Sequence, residues 1–340
     1  MAKKWSQMRY LVTGAAGFIG SKILSDLAFE GHEVMGLDNF NDYYDVELKR
    51  MRVECLLAPK NIKIVDIDLC NALEVDRIIE TVKPHGVFHL AAQAGVRIPI
   101  EALEKYVNSN LIGYSNVLKS ILIQKVSNFV YASSSSVYGD NQNFPYSESD
   151  YDIKQKSFYG VTKRTNELMA QALVPGSATK ARGLRFFTVY GPWGRPDMAY
   201  FRLINSALSS TKFELFGDGS IERDFTFIDD ISDSSIQLMH QLDKETSGHN
   251  DIVNIGGGSP VSMTKLINVI QTTLNAPINL VKKQSFLGDV TRTVASIDYL
   301  NKLITPKKFT HIERGILNTV NWANSPEIKP LLSKWVQSTQ

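Results

Sequence analysis

The segment YGVTK sets a tyrosine and a lysine four residues apart, Tyr159 and Lys163. On a helix that spacing puts both side chains on one face. A phenol ordinarily ionises near pH ~10 and is a poor base in neutral water. An ammonium ~4 Å away contributes ~4 kcal/mol at an effective dielectric of ~20, enough to bring the phenol about three pH units lower. The pair can then pass a proton to and from an alcohol or a carbonyl. Upstream, ASSSSVYG (Ala132–Gly139) places four hydroxyls directly after the apolar run NFVYA. Ser134 is expected to share the substrate oxygen with Tyr159. Ser133 would face a cofactor, and Ser135 and Ser136 would reach the substrate.

A second constellation lies near the N-terminus. TGAAGFIG (Thr13–Gly20) follows an apolar run and opens a helical one. Gly14 permits a tight turn, Gly17 lets backbone approach a pyrophosphate, and Gly20 lets helix and strand pack closely. The phosphates would sit at the helix N-terminus, where N–H groups and the dipole favour anions. Asp38 closes the next strand 24 residues after Gly14. A carboxylate there accepts from a ribose diol and repels a 2′-phosphate. Asn39 and Phe40 follow with no adjacent arginine, so NAD is favoured over NADP. Asp68 and Leu69 are expected beside the adenine, with Ala91 and Ala92 as a small-residue floor.

These groups need a scaffold that brings strand ends together. Apolar β-type runs alternate with amphipathic segments: RYLVTG, a helix from Phe18 to Gly31, HEVMGLD, a long polar loop, NIKIVDIDL, a helix around Leu73–Val82, and GVFHLAA. A long helix over Glu101–Gln124, NFVYAS, a helix around Tyr159–Leu173 and the strand ARGLRFFTVYG (Ala181–Gly191) complete the rhythm. Strands apolar on both faces indicate a parallel sheet covered by helices on each side. The expected fold is therefore α/β, a Rossmann-type doubly wound sheet over 1–187. Beyond Gly191 the rhythm loosens, with GPWGRP, FGDGS and GGGSP as punctuation. A smaller α/β substrate lobe is expected over 188–340, with some segments returning to the sheet. Arg185 reads as a structural partner of Glu167 on the preceding helix, and Asp229 and Asp230 as caps of the helix that follows.

Composition narrows the classes. The 340 residues are 43% hydrophobic and 21% charged, with 37 Lys+Arg against 35 Asp+Glu and a net charge of +2. Such a balance argues against nucleic-acid and membrane-surface binding. Two cysteines and six scattered histidines without paired-ligand spacing predict neither disulfides nor a metal. No apolar run approaches the ~18 residues of a membrane span, and a cytoplasmic location is expected.

Taken together, TGAAGFIG, SSSSVYG and YGVTK resemble the extended short-chain dehydrogenase/reductases that act on nucleotide sugars. HLAAQAGVR (His89–Arg97) and LRFFTVYGPWGRPDMA (Leu184–Ala199) are similar to the UDP-glucuronate 4-epimerases, as are LDNFNDYYD, RDFTFIDDI and VNIGGGSPV. The resemblance covers roughly Tyr10 to Trp322. It implies oxidation and re-reduction of a UDP-sugar at C4 through a 4-keto intermediate, with NAD kept bound. Further NAD contacts are implied at Phe18, Ile19, Leu90, Gln93, Asn110 and Phe186. It implies that Thr188, Ser135 or Ser136 and Arg195 hold the sugar carboxylate, with Arg97 nearby. Arg223 would clamp the diphosphate, Asp289 would touch the nucleotide, and Phe213 and Leu215 would line the uracil. The two long helices would pair with a second subunit as a homodimer. UDP-N-acetylglucosaminuronate and UDP-glucose 4-epimerases, a UDP-glucuronate decarboxylase and a silent dinucleotide sensor are the alternatives. A 4,6-dehydratase would carry an acid pair where this chain has Ser135 and Ser136.

Overall fold

The computed structural model describes residues 7–150, 153–284 and 290–338. In chain order its strands are β1 (Arg9–Thr13), β2 (Glu33–Asp38), β3 (Lys63–Asp66), β4 (Gly86–His89), β5 (Asn128–Ser134) and β6 (Lys180–Phe186). There follow β7 (Thr188–Tyr190), β8 (Lys212–Phe216), β9 (Glu222–Phe227), β10 (Asn250–Ile255), β11 (Pro260–Ser262) and β12 (Asn279–Lys283). Seven of these form one sheet in the order β10-β6-β5-β4-β1-β2-β3. Every pairing in it is parallel. The chain runs outward from β1 through β3, then crosses back to β4 on the other side of β1. Ligands of such sheets bind where that order reverses, at the carboxyl ends of the strands.

Alternate residues of each strand feed opposite faces. Tyr10, Val12, Phe88, Val130 and Leu184 pack on one side with the helices Phe18–Phe29 and Ile228–Gln241. Leu11, Val87, Phe129 and Tyr131 pack on the other with Ala72–Val82 and Tyr114–Ile123. Such two-sided burial is why the strands read as unbroken apolar runs. The smaller part of the molecule holds β11-β9-β7 and the pair β12-β8.

Three expectations change. The apolar run Ala181–Gly191 is two strands, not one. It leaves the large sheet after Phe186, and β7 joins β9 instead. The polar stretch after Asp38 contains a helix, Val46–Arg52, capped by Asp45, whose side chain accepts from Glu47 N. Two of its buried residues, Lys49 and Arg52, are cationic, so the buried face does not read as apolar. The helix expected over Glu101–Gln124 has a π-helical stretch, Val107–Gly113, in its middle. There the Asn110 carbonyl accepts from Asn166 Nδ2 at 2.8 Å.

Arg185 pairs with Glu167 as expected, Nε to Oε1 at 2.8 Å, both nearly fully buried. Asp229 and Asp230 are not caps. The residue at the cap is Phe227; Asp229 pairs with Lys22 at 3.1 Å, and Asp230 accepts from Thr310 N at 2.7 Å. Both carboxylates lie in the first turn, where they face tertiary partners instead of their own backbone.

Candidate active site

A cleft of about 1270 Å³ runs along the carboxyl ends of the large sheet. Small-molecule sites usually occupy ~300–1,000 Å³, so it has room for a dinucleotide and a second ligand. Gly14, Gly17, Phe18, Ile19 and Gly20 line one end. Gly14 has φ +71°, and a Cβ there would come within 2.7 Å of Ala91 N. A Cβ on Gly20 would run into the Gly14 carbonyl. The helix that follows has no side-chain cap, so its first-turn amides remain available to an anion. Ala16 N–H donates to Asp38 Oδ2 at 3.0 Å and Phe40 N–H to Oδ1 at 2.8 Å. Asp38 therefore anchors the glycine turn as well as facing the cleft. Asn39 Nδ2 donates to Asp68 Oδ2 at 3.1 Å. Although burial pushes the other way, bonds from Cys70 and Asn39 hold the Asp68 carboxyl below its usual range.

Leu69, Leu90, Ala91, Ala92, Gln93 and Phe186 also line the cleft. Asn110 does not. Its side chain accepts from Gln93 N at 2.7 Å and donates to Gln93 O and Thr162 Oγ1, both at 3.0 Å. It fixes the loop that faces the cleft and touches no open space. Ser133 lines the cleft, yet its hydroxyl is given to Glu167 Oε1 at 2.6 Å, which leaves it no proton for a ligand.

Tyr159 stands in the first turn of the helix Phe158–Leu173, whose cap, Ser157, accepts from Gly160 N at 3.0 Å. Burial raises the phenol above its ordinary value, against the pull of Arg195 and of a hydrogen bond with Ser134. Lys163 Nζ donates to the Ala132 carbonyl at 2.9 Å and lies 5.9 Å from the Tyr159 ring centre. Burial draws its ammonium down to about 7. The expected effect of the lysine on the tyrosine leaves out the cost of desolvation, and in the protein by itself that cost is the larger influence on both groups. Desolvation penalises both charged forms, and Lys163 has spent a proton on a strand carbonyl. Further positive charge entering the cleft would lower the phenol's pKa.

Ser135, Ser136, Thr188, Arg97, Arg195 and Arg223 all line the same cleft. Arg195 Nε donates to Asp197 Oδ1 at 3.0 Å and Nη2 to Oδ2. Its guanidinium lies 5.5 Å from the Tyr43 ring centre. Burial disfavours both charges. The pairing overrides it, raising Arg195 and holding the Asp197 carboxyl low. Phe213 and Leu215 are not brought to the cleft. They are buried core residues of β8, and Arg202 sits 5.7 Å over the Phe213 ring. Alternation along β8 turns both inward. Asp289 lies outside the described residues. Sequence reasoning missed Tyr43 and Asp197. The signal for Asp197 was an acid two residues beyond the arginine it pairs with.

Among the described residues, one cluster could gather a cation: Glu30, His32 and His240. It lies away from the cleft lining, and Met8 N–H donates to His32 Nδ1 at 3.3 Å. The facing Nε2 then carries the proton, which makes His32 a poor ligand.

Comparison with known families places these residues in context. Residues 10–256 match the NAD dependent epimerase/dehydratase family. This chain belongs to that family. A probable UDP-glucuronate 4-epimerase of Rhizobium meliloti is 37% identical over 331 residues, spanning 93% of this chain and 96% of that protein. UDP-glucuronate 4-epimerase 3 of Arabidopsis thaliana is 38% identical over 92% of this chain and 75% of its own length. The crystal structure of UDP-glucuronic acid 4-epimerase from Bacillus cereus with UDP-glucuronic acid and NAD superposes with a TM-score of 0.85. It is 29% identical over 95% of this chain and 100% of that one. For a member of the NAD dependent epimerase/dehydratase family, the uncapped helix end, the glycine turn and Asp38 are the residues that would hold NAD. Their shape fits it, since a Cβ at Gly14 or Gly20 would close the turn.

Proposed function

We propose that the protein inverts C4 of a UDP-linked uronic acid, converting UDP-glucuronate to UDP-galacturonate with tightly held NAD. The observation that carries this reading is the placing of Arg195 in the cleft that Tyr159, Ser134 and Lys163 line, close enough to lower the phenol's pKa. NAD held at the glycine turn and Asp38 would supply an acceptor, and then a donor, for the C4 hydride. Tyr159 removes the proton from the 4-hydroxyl and later restores it. Ser134, which lines the cleft with Tyr159, would hold the same oxygen. Lys163, fixed on Ala132 O, holds its amine beside the Tyr159 ring. The 4-keto form of a uronate is a β-keto acid and loses CO₂ when its carboxylate aligns with the carbonyl π system. Thr188, Ser135, Ser136 and Arg195 would hold that carboxylate out of alignment, and a guanidinium suits it geometrically. Arg97 and Arg223 would face the rest of the nucleotide sugar, Arg223 at the diphosphate. Neither Ser135 nor Ser136 titrates, which disfavours elimination of water.

One feature favours a second reading. Asp197 already occupies two donors of Arg195, and that neutralisation suits UDP-glucose better than a uronate. We also assign the protein to the cytoplasm, as a homodimer; among the described residues no helix is long and apolar enough to cross a membrane. The deciding experiment incubates the purified protein, without added cofactor, with UDP-glucuronate and with UDP-glucose, and follows the anomeric protons by NMR. A galacto-configured uronate without CO₂ supports the first reading. Turnover of UDP-glucose alone supports the second, and pentose with CO₂ refutes both.

A further inference from the structure

Arg52 is fully buried, and among the described residues no carboxylate pairs with it. Its guanidinium instead gathers backbone from two loops and a side chain from a third. Nη1 donates to Ala16 O at 3.1 Å and to the Tyr44 hydroxyl. Nε donates to Trp193 O at 2.8 Å and Nη2 to Gly194 O at 3.1 Å. Ala16 belongs to the glycine turn, and Asp38 pins its N–H from the other side. Trp193 and Gly194 immediately precede Arg195. Trp193 adopts φ +64°, a left-handed conformation that is costly for a bulky residue and persists only where the surroundings impose it. Tyr44 neighbours Tyr43, over whose ring Arg195 sits.

A buried cation is expensive unless its donors are satisfied. Here carbonyls satisfy it, and a lysine, with one point of attachment, could not span them. We propose that Arg52 is a positioning residue that locks the cofactor turn and the Trp193–Arg195 loop into one rigid unit, so that uronate recognition by Arg195 depends on it. This inference rests on the reading of the cleft given above. Arg52 lines no part of the cleft itself; it acts through Ala16 on one side and Arg195 on the other. Two ligand subsites thereby share one support, and loss of the support is felt at both.

The test measures binding by calorimetry in a Tyr159→Phe background, where turnover does not intrude. UDP-glucuronate and UDP-glucose are compared, and the NAD carried through purification is measured. Adding Arg52→Lys is expected to cut the preference for UDP-glucuronate by ~10-fold and to lower the NAD content. In an Arg195→Ala background the same change should alter the preference less than ~2-fold, because residues acting through one contact are not additive. Tyr44→Phe, which removes one acceptor, should shift both quantities less and in the same direction; it carries the test if Arg52→Lys does not fold. Unchanged preference, or losses that add in the double variant, overturns the proposal. A parent that binds both UDP-sugars equally overturns instead the assignment of a uronate substrate, whatever Arg52 does.

Discussion

The Tyr159 phenol is raised and the Lys163 ammonium is lowered, both by burial. The phenol is thus held against ionisation until positive charge arrives, whereas the same charge would disfavour the Lys163 ammonium further. Tyr159→Phe should reduce turnover by ~10²–10⁴-fold, the usual weight of a general base, while NAD stays bound; HPLC of nucleotide released from the denatured variant checks the second half. Lys163 gives a stability signature. Its ammonium falls from 10.5 to about 7 in the fold, so between those values the unfolded chain binds more protons than the native one. Stability contributed at this site therefore rises with pH across that window, and the penalty is complete below about 7. Lys163→Met removes the ionisation. Thermal melts should show the stability of the wild type relative to this variant improving from pH ~7 to pH ~10; a constant gap would remove Lys163 as a buried, neutral-leaning amine.

At the level of elements, the strand–turn–helix unit of the cofactor end depends on contact between backbones. Gly20→Ala forces a Cβ against the Gly14 carbonyl and should separate helix from turn. We expect loss of co-purified NAD with a lowered melting temperature, measured by nucleotide release and differential scanning fluorimetry. This unit was legible in the sequence because a turn glycine leaves its mark at a fixed spacing and buried parallel strands read as apolar runs. The Tyr159 and Ser134 positions were legible for the same reason, since both sit at element ends. What stayed hidden depends on tertiary choices. The strand change at Phe187 is invisible because β6 and β7 are both apolar. The helix Val46–Arg52 was obscured because a lysine and an arginine occupy its buried face. The family resemblance implied an NAD contact at Asn110, whereas its partners, Gln93 and Thr162, come together only in the fold. Asp197 is the converse case, a short-range pair that reduces the charge Arg195 offers.

On the scale of the whole molecule, two helices leave apolar side chains in water. Ile123, Leu168 and Leu173 are 60%, 48% and 51% exposed. Val161 and Leu168, seven apart, share a face of the helix Phe158–Leu173, and Ile112 and Ile123 are exposed on the neighbouring helix. A second copy of the chain would cover them as a four-helix arrangement. Leu168→Glu, an exposed position with little cost to the fold, should convert a dimer to a monomer in light scattering; a wild type already monomeric would remove the proposed homodimer. The large sheet carries a further consequence. Its outermost strand beside β6 is β10, supplied from residues 250–255 after the chain has traversed the smaller part. A piece cut at Phe187 would leave β6 with bare amides and carbonyls along one side, an invitation to aggregate. The cofactor end is therefore not a detachable module: it is finished late in translation, by a segment that has first visited the other half.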